Sequence, residues 1–392
     1  MSSLPGIDDA LALVLEWVQP LGGEDVAVAR AAGRVVAEPA LAVTDLPPFD
    51  SSAMDGYAVR AADTPGELTV VGHSAAGRPE ARVLEAGEAI VISTGAVVPE
   101  GADAVVPIER TSGEVEVERV SPGDNVRPRG GDARSGDVIA ERGDVLRPAQ
   151  LGALAAAGVA TVRCTRRPRV FVLATGSELR APGEVLAPGE IYESNTVLLA
   201  AQLESAGAEV TVLEAVGDEE HATRAALELG LESDVLVTSG GVSVGPHDLM
   251  RGALAALGAA EIFWRVAVRP GKPIAFAVRG ETLIFGLPGN PVSSLVGFEL
   301  FIRPALLALQ GARDPGPPYL PGRLGAAVER NEHRDELLRA RTRIADDAVV
   351  LEPLTGQESH MIVRSAAASA LVLVPRGTGA LAAGAPVSYL RI

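Results

Sequence analysis

Lysine is all but missing from this chain of 392 residues: among its 34 lysine and arginine residues, only Lys272 is lysine. Cysteine is as scarce. The single Cys164 excludes an internal disulfide and any zinc or iron-sulfur centre built from several cysteines of one chain, and it points to a reducing compartment. Aromatics make up 3% of residues, so the cores must be built from Val, Leu, Ile and Ala, with few rings left to stack on nucleic-acid bases. Positive charge is short overall. A formal net charge of -17 argues against a nucleic-acid or anionic-membrane surface, so any anionic ligand must be held by local features against the global field. No uninterrupted apolar run approaches the ~18 residues of a membrane span, and no basic segment followed by an apolar one opens the chain. The expected location is cytoplasmic. Histidine supplies no zinc-ligand spacing, since His221, His247, His333 and His360 are scattered.

What is present changes texture along the chain. Ile7, Leu11, Val14, Leu15 and Val18 recur at helical spacing behind Asp8, a candidate cap, and Pro20 ends the pattern. From Leu46 to about Ala140, short apolar stretches lie between Gly, Pro and Asp clusters, and Glu114 to Glu118 alternates charged with apolar, as β-structure does. Pro148 to Ala157 reads as a helix ended by Gly158, Val159 to Cys164 as a strand, and Arg166-Arg167-Pro168-Arg169 as a boundary. Residues 1–167 therefore read as an N-terminal region, partly helical and linker, with a mostly β lobe inserted at about 46–140.

Residues 168–312 repeat strand, loop and helix. Strands are expected at Val170 to Ala174, Glu209 to Leu213, Asp234 to Thr238, near Phe263 to Val268, at Ile274 to Val278 and at Leu283 to Phe285. Helices are expected at Asn195 to Ala206, Asp218 to Leu229, Pro246 to Leu257 and from Pro291. Such alternation specifies an α/β domain with a largely parallel sheet, which binds ligands at the carboxyl ends of its strands. The Pro/Gly-rich linker Asp314 to Gly322 opens the last region, 313–392, whose short apolar runs read as a small β-barrel or sandwich.

The loops after the strands hold the chemistry. Ser239-Gly240-Gly241-Val242-Ser243-Val244-Gly245-Pro246 follows one strand and precedes a helix, so glycines let backbone N–H groups approach a phosphate and the helix start adds positive charge. Its spacing matches neither the P-loop nor the dinucleotide fingerprint. Gly286-Leu287-Pro288-Gly289-Asn290-Pro291-Val292-Ser293 has the same construction, and Thr175-Gly176-Ser177-Glu178 adds hydroxyls and a carboxylate. Together they describe a pocket for an extended phosphorylated ligand. Glu178, Asp218 and Asp248 occur at these loops, where carboxylates beside phosphate call for a bridging divalent cation, and Mg2+ fits best. For Asp218 and Asp248, helix capping is the commoner use of an acid at such a position. Lys272 sits in Arg269-Pro270-Gly271-Lys272-Pro273, where a compact ammonium suits a small oxyanion that a planar guanidinium does not.

The chain resembles the molybdopterin molybdenumtransferase family, MoeA and the gephyrin E-domain, over nearly its whole length. The resemblance rests on Ser52 to Ala58, Thr94 to Val106, Gly189 to Asn195, the Ser239 to Gly245 loop, Pro270 to Pro273 and Gly286 to Ser293, all in family order. It implies a central doubly wound α/β domain of molybdopterin-binding type, an elongated N-terminal region with a mostly β lobe, and a small C-terminal β-barrel. It implies insertion of molybdenum from molybdate into adenylylated molybdopterin with release of AMP and with Mg2+ present. The alternatives are an adenylyltransferase-like enzyme and a non-catalytic pterin-binding scaffold. It further implies a homodimer with the site shared between subunits and a molybdopterin adenylyltransferase as upstream partner. By motif position, Asp55, Thr94 and Asp132 match functional residues in the β lobe, and Glu178, Asp218 and Asp248 match acids around nucleotide and magnesium. Molybdate would meet Arg269, Lys272, Pro273, Arg339 and Ser359. Two departures stand out: many members have lysine in place of Arg269, and many have Gly-Ser-His in place of Glu358-Ser359-His360.

Overall fold

The computed structural model describes residues 4–392 apart from 113–114, 214, 216, 218–219, 242–248 and 346. It divides into two compact units, Asp25–Cys164 on one hand and Met1–Glu24 with Thr165–Ile392 on the other. Helix α1, Ile7–Glu16, buries Ile7, Ala10 and Val14 in the core of the larger unit, the spacing of one helical face. Asp8 does not cap it. The cap is Gly6, whose N–H donates to the Asp9 carboxylate at 3.2 Å, leaving Asp8 inside the first turn.

The smaller unit is mostly β, as its sequence leads one to expect. Strands β1 (Gly56–Val59), β2 (Thr69–Ser74), β3 (Glu88–Ile92) and β4 (Ala104–Pro107) form a sheet in the order β2-β3-β1-β4. Successive residues point to opposite faces, and both faces are covered. Val59, Ala89, Ala104 and Val106 enter one cluster, while Ala58, Ile90, Ile92 and Val105 enter another. Double-sided burial is why β1, β3 and β4 read as apolar runs, whereas the edge strand β2 is mostly exposed or half-buried. Helix α2, Pro148–Ala156, follows, and Gly158 stops the chain beyond it in the left-handed region at φ +81°.

In the larger unit the strands are β5 (Arg169–Ala174), β6 (Glu209–Val212), β7 (Val235–Ser239), β8 (Ala260–Trp264), β9 (Val268–Arg269), β10 (Ala275–Arg279) and β11 (Thr282–Leu287). The helices between them are α3 (Asn195–Ser205), α4 (Glu220–Gly230) and α5 (Leu249–Ala256). The expected starts of the last two, Asp218 and Pro246, lie outside the described residues. The sheet order is β6-β5-β7-β11-β10-β8, with the first four strands parallel and β10 antiparallel to both its neighbours, β11 and β8. It is therefore a mixed sheet rather than a purely parallel one.

The segment near Phe263 to Val268 breaks at Arg265, which has φ +80° and lays its guanidinium 3.8 Å from the centre of the Trp264 ring. Beyond the break β9 leaves this sheet. Helix α6, Pro291–Gly297, runs on through a π turn at Phe298–Ile302 into α7, Arg303–Leu309. This stretch is long and apolar enough to span a membrane by composition, yet 83% of it is buried as the central core helix. Its one acid in the core, Glu299, is paired with Arg303 at 2.7 Å and accepts from Gln202 at 3.1 Å.

Strands β12 (Leu320–Leu324), β13 (Asp335–Ala345), β14 (Ala348–Pro353), β15 (Ala370–Val374) and β16 (Pro386–Arg391) close in the order β13-β14-β12-β16-β15 and back to β13. Closure makes this a barrel, not a sandwich. Strand β9 pairs in parallel with the start of β13, ahead of the residues that pair with β14, matching Val268 with Asp335 and Arg269 with Glu336.

One ion pair links the foot of the α/β sheet to the boundary segment. Asp234 accepts two bonds from the Arg166 guanidinium, at 2.7 and 2.8 Å, and one from the Arg169 N–H at 2.7 Å. Burial works to raise its pKa, but these donors outweigh it and hold the carboxyl below the ordinary aspartate value. A depressed native pKa contributes stability above the unfolded value, near 3.9, that is lost as pH falls through the native one. Asp234→Asn should cost about 2 kcal/mol at pH 7, with the gap from wild type narrowing in acid below about pH 4. Urea unfolding at both pH values checks this, and a gap that does not change with pH would refute it.

Candidate active-site cleft

Three parallel strands end level with one another. Ala174 of β5 is in register with Ser239 of β7, and Ser239 with Leu287 of β11, so the loops that follow emerge side by side. The last rungs are Thr175 N–H to the Ser239 carbonyl and Gly240 N–H to the Leu287 carbonyl, each 3.0 Å. A cleft of about 650 Å³ opens there. Of the residues singled out from sequence, Thr175, Gly176, Glu178, Ser239, Gly240, Gly241, Gly289, Asn290 and Pro291 line it. Ser177 and Pro288 belong to the same loops but do not line it. Ser243, Gly245, Asp218 and Asp248 lie outside the described residues.

Glycine is required at two of these positions. Gly240 has φ +93°, and a Cβ there would lie 2.6 Å from the Thr175 carbonyl oxygen; Gly241 has φ +63°, and its Cβ would lie 2.4 Å from Met250. The backbone is thus bare where a ligand approaches. The start of α6 is less open than its sequence implies. Val292 N–H is already bonded to the Ser359 carbonyl at 3.1 Å, and the Ser294 hydroxyl donates to the Pro288 carbonyl at 3.0 Å.

Residues that sequence reasoning did not assign to the site also line it. Glu193 accepts from the N–H groups of Asn195, at 2.7 Å, and Thr196, at 3.0 Å, and so caps α3 at the cleft wall. The Asn195 side chain donates to the Ser239 hydroxyl and to the Gly289 carbonyl, both at 2.7 Å, tying two of the loops together. The signal was present in Glu193-Ser194-Asn195 ahead of a helix, but it reads as ordinary capping. His360 and Ile362 reach the cleft from the C-terminal barrel, a contact no local pattern announces.

The residues expected around molybdate do not line this cleft. Arg269 is bonded to Glu336 of the barrel at 2.7 Å. Lys272 is exposed at the tip of a tight turn, its carbonyl accepting from Val266 N–H at 2.9 Å, and its ammonium has no partner among the described residues. Pro273 follows it, half-buried. Arg339 is 1% exposed, and its guanidinium donates to the carbonyls of Met361 at 2.5 Å, Gly356 at 2.7 Å and Glu358 at 3.2 Å. Burial pulls its pKa below the ordinary arginine value. Its donors are committed to the loop that carries Ser359 and His360. In the smaller unit, Asp55 and Thr94 meet, the Thr94 N–H donating to the Asp55 carboxylate at 2.7 Å, while Asp132 is exposed on a separate turn. Among the described residues no three acids, histidines or cysteines cluster to hold a metal by themselves.

Comparison with known proteins agrees with this architecture. The family model for the MoeA N-terminal region (domain I and II) matches residues 6–158, that for a probable molybdopterin binding domain matches 171–308, and that for the MoeA C-terminal region (domain IV) matches 321–392. The chain is 38% identical to molybdopterin molybdenumtransferase 2 of Mycobacterium tuberculosis, covering 95% of this chain and 96% of that protein. It is 34% identical to the molybdopterin molybdenumtransferase of Haemophilus influenzae, covering 97% of each. The crystal structure of the molybdopterin biosynthesis MoeA protein from Pyrococcus horikoshii matches with a TM-score of 0.83 at 31% identity, covering 100% of this chain and 99% of that one. With all three regions present in order, the chain belongs to the MoeA family, the molybdopterin molybdenumtransferases of molybdenum cofactor biosynthesis.

Proposed function

We propose that the chain inserts molybdenum from molybdate into adenylylated molybdopterin, releases AMP, and depends on Mg2+. The observation that carries this reading is the cleft itself: bare glycine backbone at Gly240 and Gly241, hydroxyls at Thr175 and Ser239, and the carboxylate of Glu178 on one wall. Donors of this kind hold phosphate oxygens by preorganised hydrogen bonds. Carboxylates beside phosphate call for a divalent cation, and magnesium, which takes few protein ligands and keeps water and phosphate oxygens for the rest, suits them best. Glu178, with Asp218 and Asp248, would hold the ion, and its charge would offset that of the phosphoanhydride. No protein nucleophile is needed. The chain's own work is to position the anhydride, to orient through a carboxylate the water whose oxygen bonds to phosphorus as the anhydride P–O bond breaks and AMP leaves, and to keep molybdate close through Lys272 and the loop pinned by Arg339.

Incubating the purified protein with adenylylated molybdopterin tests the reading. AMP should appear only when molybdate and magnesium are both present, cease on addition of EDTA and return with excess Mg2+. Ligand retained unchanged under all conditions would favour a scaffold, and adenylylation of molybdopterin from ATP would favour an adenylyltransferase.

The lobe residues Asp55, Thr94 and Asp132 are read as completing the site of a second copy, in a homodimer. At a molybdate concentration that saturates wild type but lies well below what Lys272→Ala needs, Asp55→Ala and Lys272→Ala should each show little activity alone and regain about a quarter of wild-type sites when mixed and reassociated, because one site of each mixed dimer is intact. No recovery on mixing would place both residues in one subunit's site. An upstream molybdopterin adenylyltransferase is the reaction class that must supply such a substrate.

A further inference from the structure

Asn195 is 7% exposed in the cleft wall, and the two ends of its amide differ in their surroundings. Nδ2 donates to the Ser239 hydroxyl and to the Gly289 carbonyl. Oδ1 has no hydrogen-bond partner among the described residues. A carbonyl oxygen only accepts, so the NH2 end must face Gly289, and chemistry rather than convention sets the orientation of the amide. A second proton is set in consequence. Ser239 Oγ already accepts from Nδ2, no described residue accepts its own proton, and Ser239 lines the cleft. Buried polar groups are normally paired, so a ligand oxygen in the cleft is the natural acceptor for the Ser239 proton.

We infer that Asn195 is a positioning residue for the nucleotide. It ties the loop after β7 to the loop after β11 and turns the Ser239 O–H into the cleft as a donor to a phosphate oxygen. The inference rests on the function proposed above.

Asn195→Asp keeps shape and acceptor but removes the donor. The Ser239 proton is then drawn to the new carboxylate and away from the ligand. Measured by calorimetry with AMP on the full chain, Asn195→Asp and Ser239→Ala should each weaken binding roughly tenfold or more, as loss of a donor to a charged phosphate does. The double variant should fall within about threefold of the weaker single one, because both changes remove the same interaction. The molybdate concentration for half-maximal AMP release should stay at its wild-type value, a split that a collapsed cleft would not give.

Wild-type AMP affinity in Asn195→Asp overturns the inference and leaves the function standing. So do multiplicative losses, roughly hundredfold in the double variant, which would mean that the new charge merely repels phosphate. Should Asn195→Asp fail to fold, unchanged AMP binding by Ser239→Ala overturns it alone. A wild-type chain that binds neither AMP nor adenylylated molybdopterin removes the functional reading, and this inference with it.

Discussion

Arg339→Ala should raise the molybdate concentration for half-maximal AMP release by about tenfold or more, and should destabilise the C-terminal barrel by about 3 kcal/mol. The guanidinium is buried against three loop carbonyls and the Ser365 hydroxyl, and a truncated side chain leaves all of these unpaired. Gln357 completes the arrangement, accepting from the Arg339 N–H at 3.0 Å and donating to its carbonyl at 2.9 Å, as a neighbouring strand would. The loop so pinned delivers the Ser359 carbonyl to Val292 and His360 to the cleft. Arg339→Lys is the discriminating variant. A single ammonium cannot reproduce a planar fork spread over several carbonyls, so it should lose most of the same stability while keeping the charge. Urea unfolding followed through the barrel, alongside molybdate titration, reads both effects. An Arg339→Ala protein with the wild-type unfolding midpoint would show that the guanidinium does not hold the loop.

Arg339 also shows where sequence stops being informative. Motif position marked it for molybdate, but what its donors touch is decided by carbonyls 17 to 22 residues further on, and a carbonyl has no signature in sequence. Strand β9 is hidden for a similar reason. Two residues carry no period, and whether Val268 and Arg269 continue the α/β sheet or join the barrel depends on the turn at Arg265. The central strands were plain because burial on both faces writes them as unbroken apolar runs, as in Val170 to Ala174. The cradle loops were plain because left-handed backbone at Gly240 and Gly241 admits little but glycine. Asn195 fell between these cases: its residue type was visible, but an asparagine at a helix start looks like a cap, and only tertiary structure reveals that its side chain bridges two other loops.

Lys272→Arg should raise the molybdate requirement about tenfold although it keeps the charge, and Lys272→Ala should do so about a hundredfold. The two cations of the segment are not equivalent. Arg269 spends its guanidinium on Glu336, a carboxylate that is itself 6% exposed, so its charge is largely answered. Lys272 is exposed on a turn whose backbone is fixed by the Val266 and Ile274 N–H bonds and by Gly271 at φ +111°. The turn presents an exposed ammonium with no partner among the described residues, and in a chain of net charge -17 that is the cation we propose to hold a small dianion. Guanidinium spreads the same charge over a plane and prefers two oxygens side by side, which orients a tetrahedral oxyanion differently and holds it less closely. The defect should be confined to molybdate, with AMP affinity in its absence unchanged, because Lys272 does not line the nucleotide cleft. If Lys272→Arg releases AMP at ordinary molybdate concentrations, the lone lysine is an accident of an arginine-rich composition, and the oxyanion must be held elsewhere.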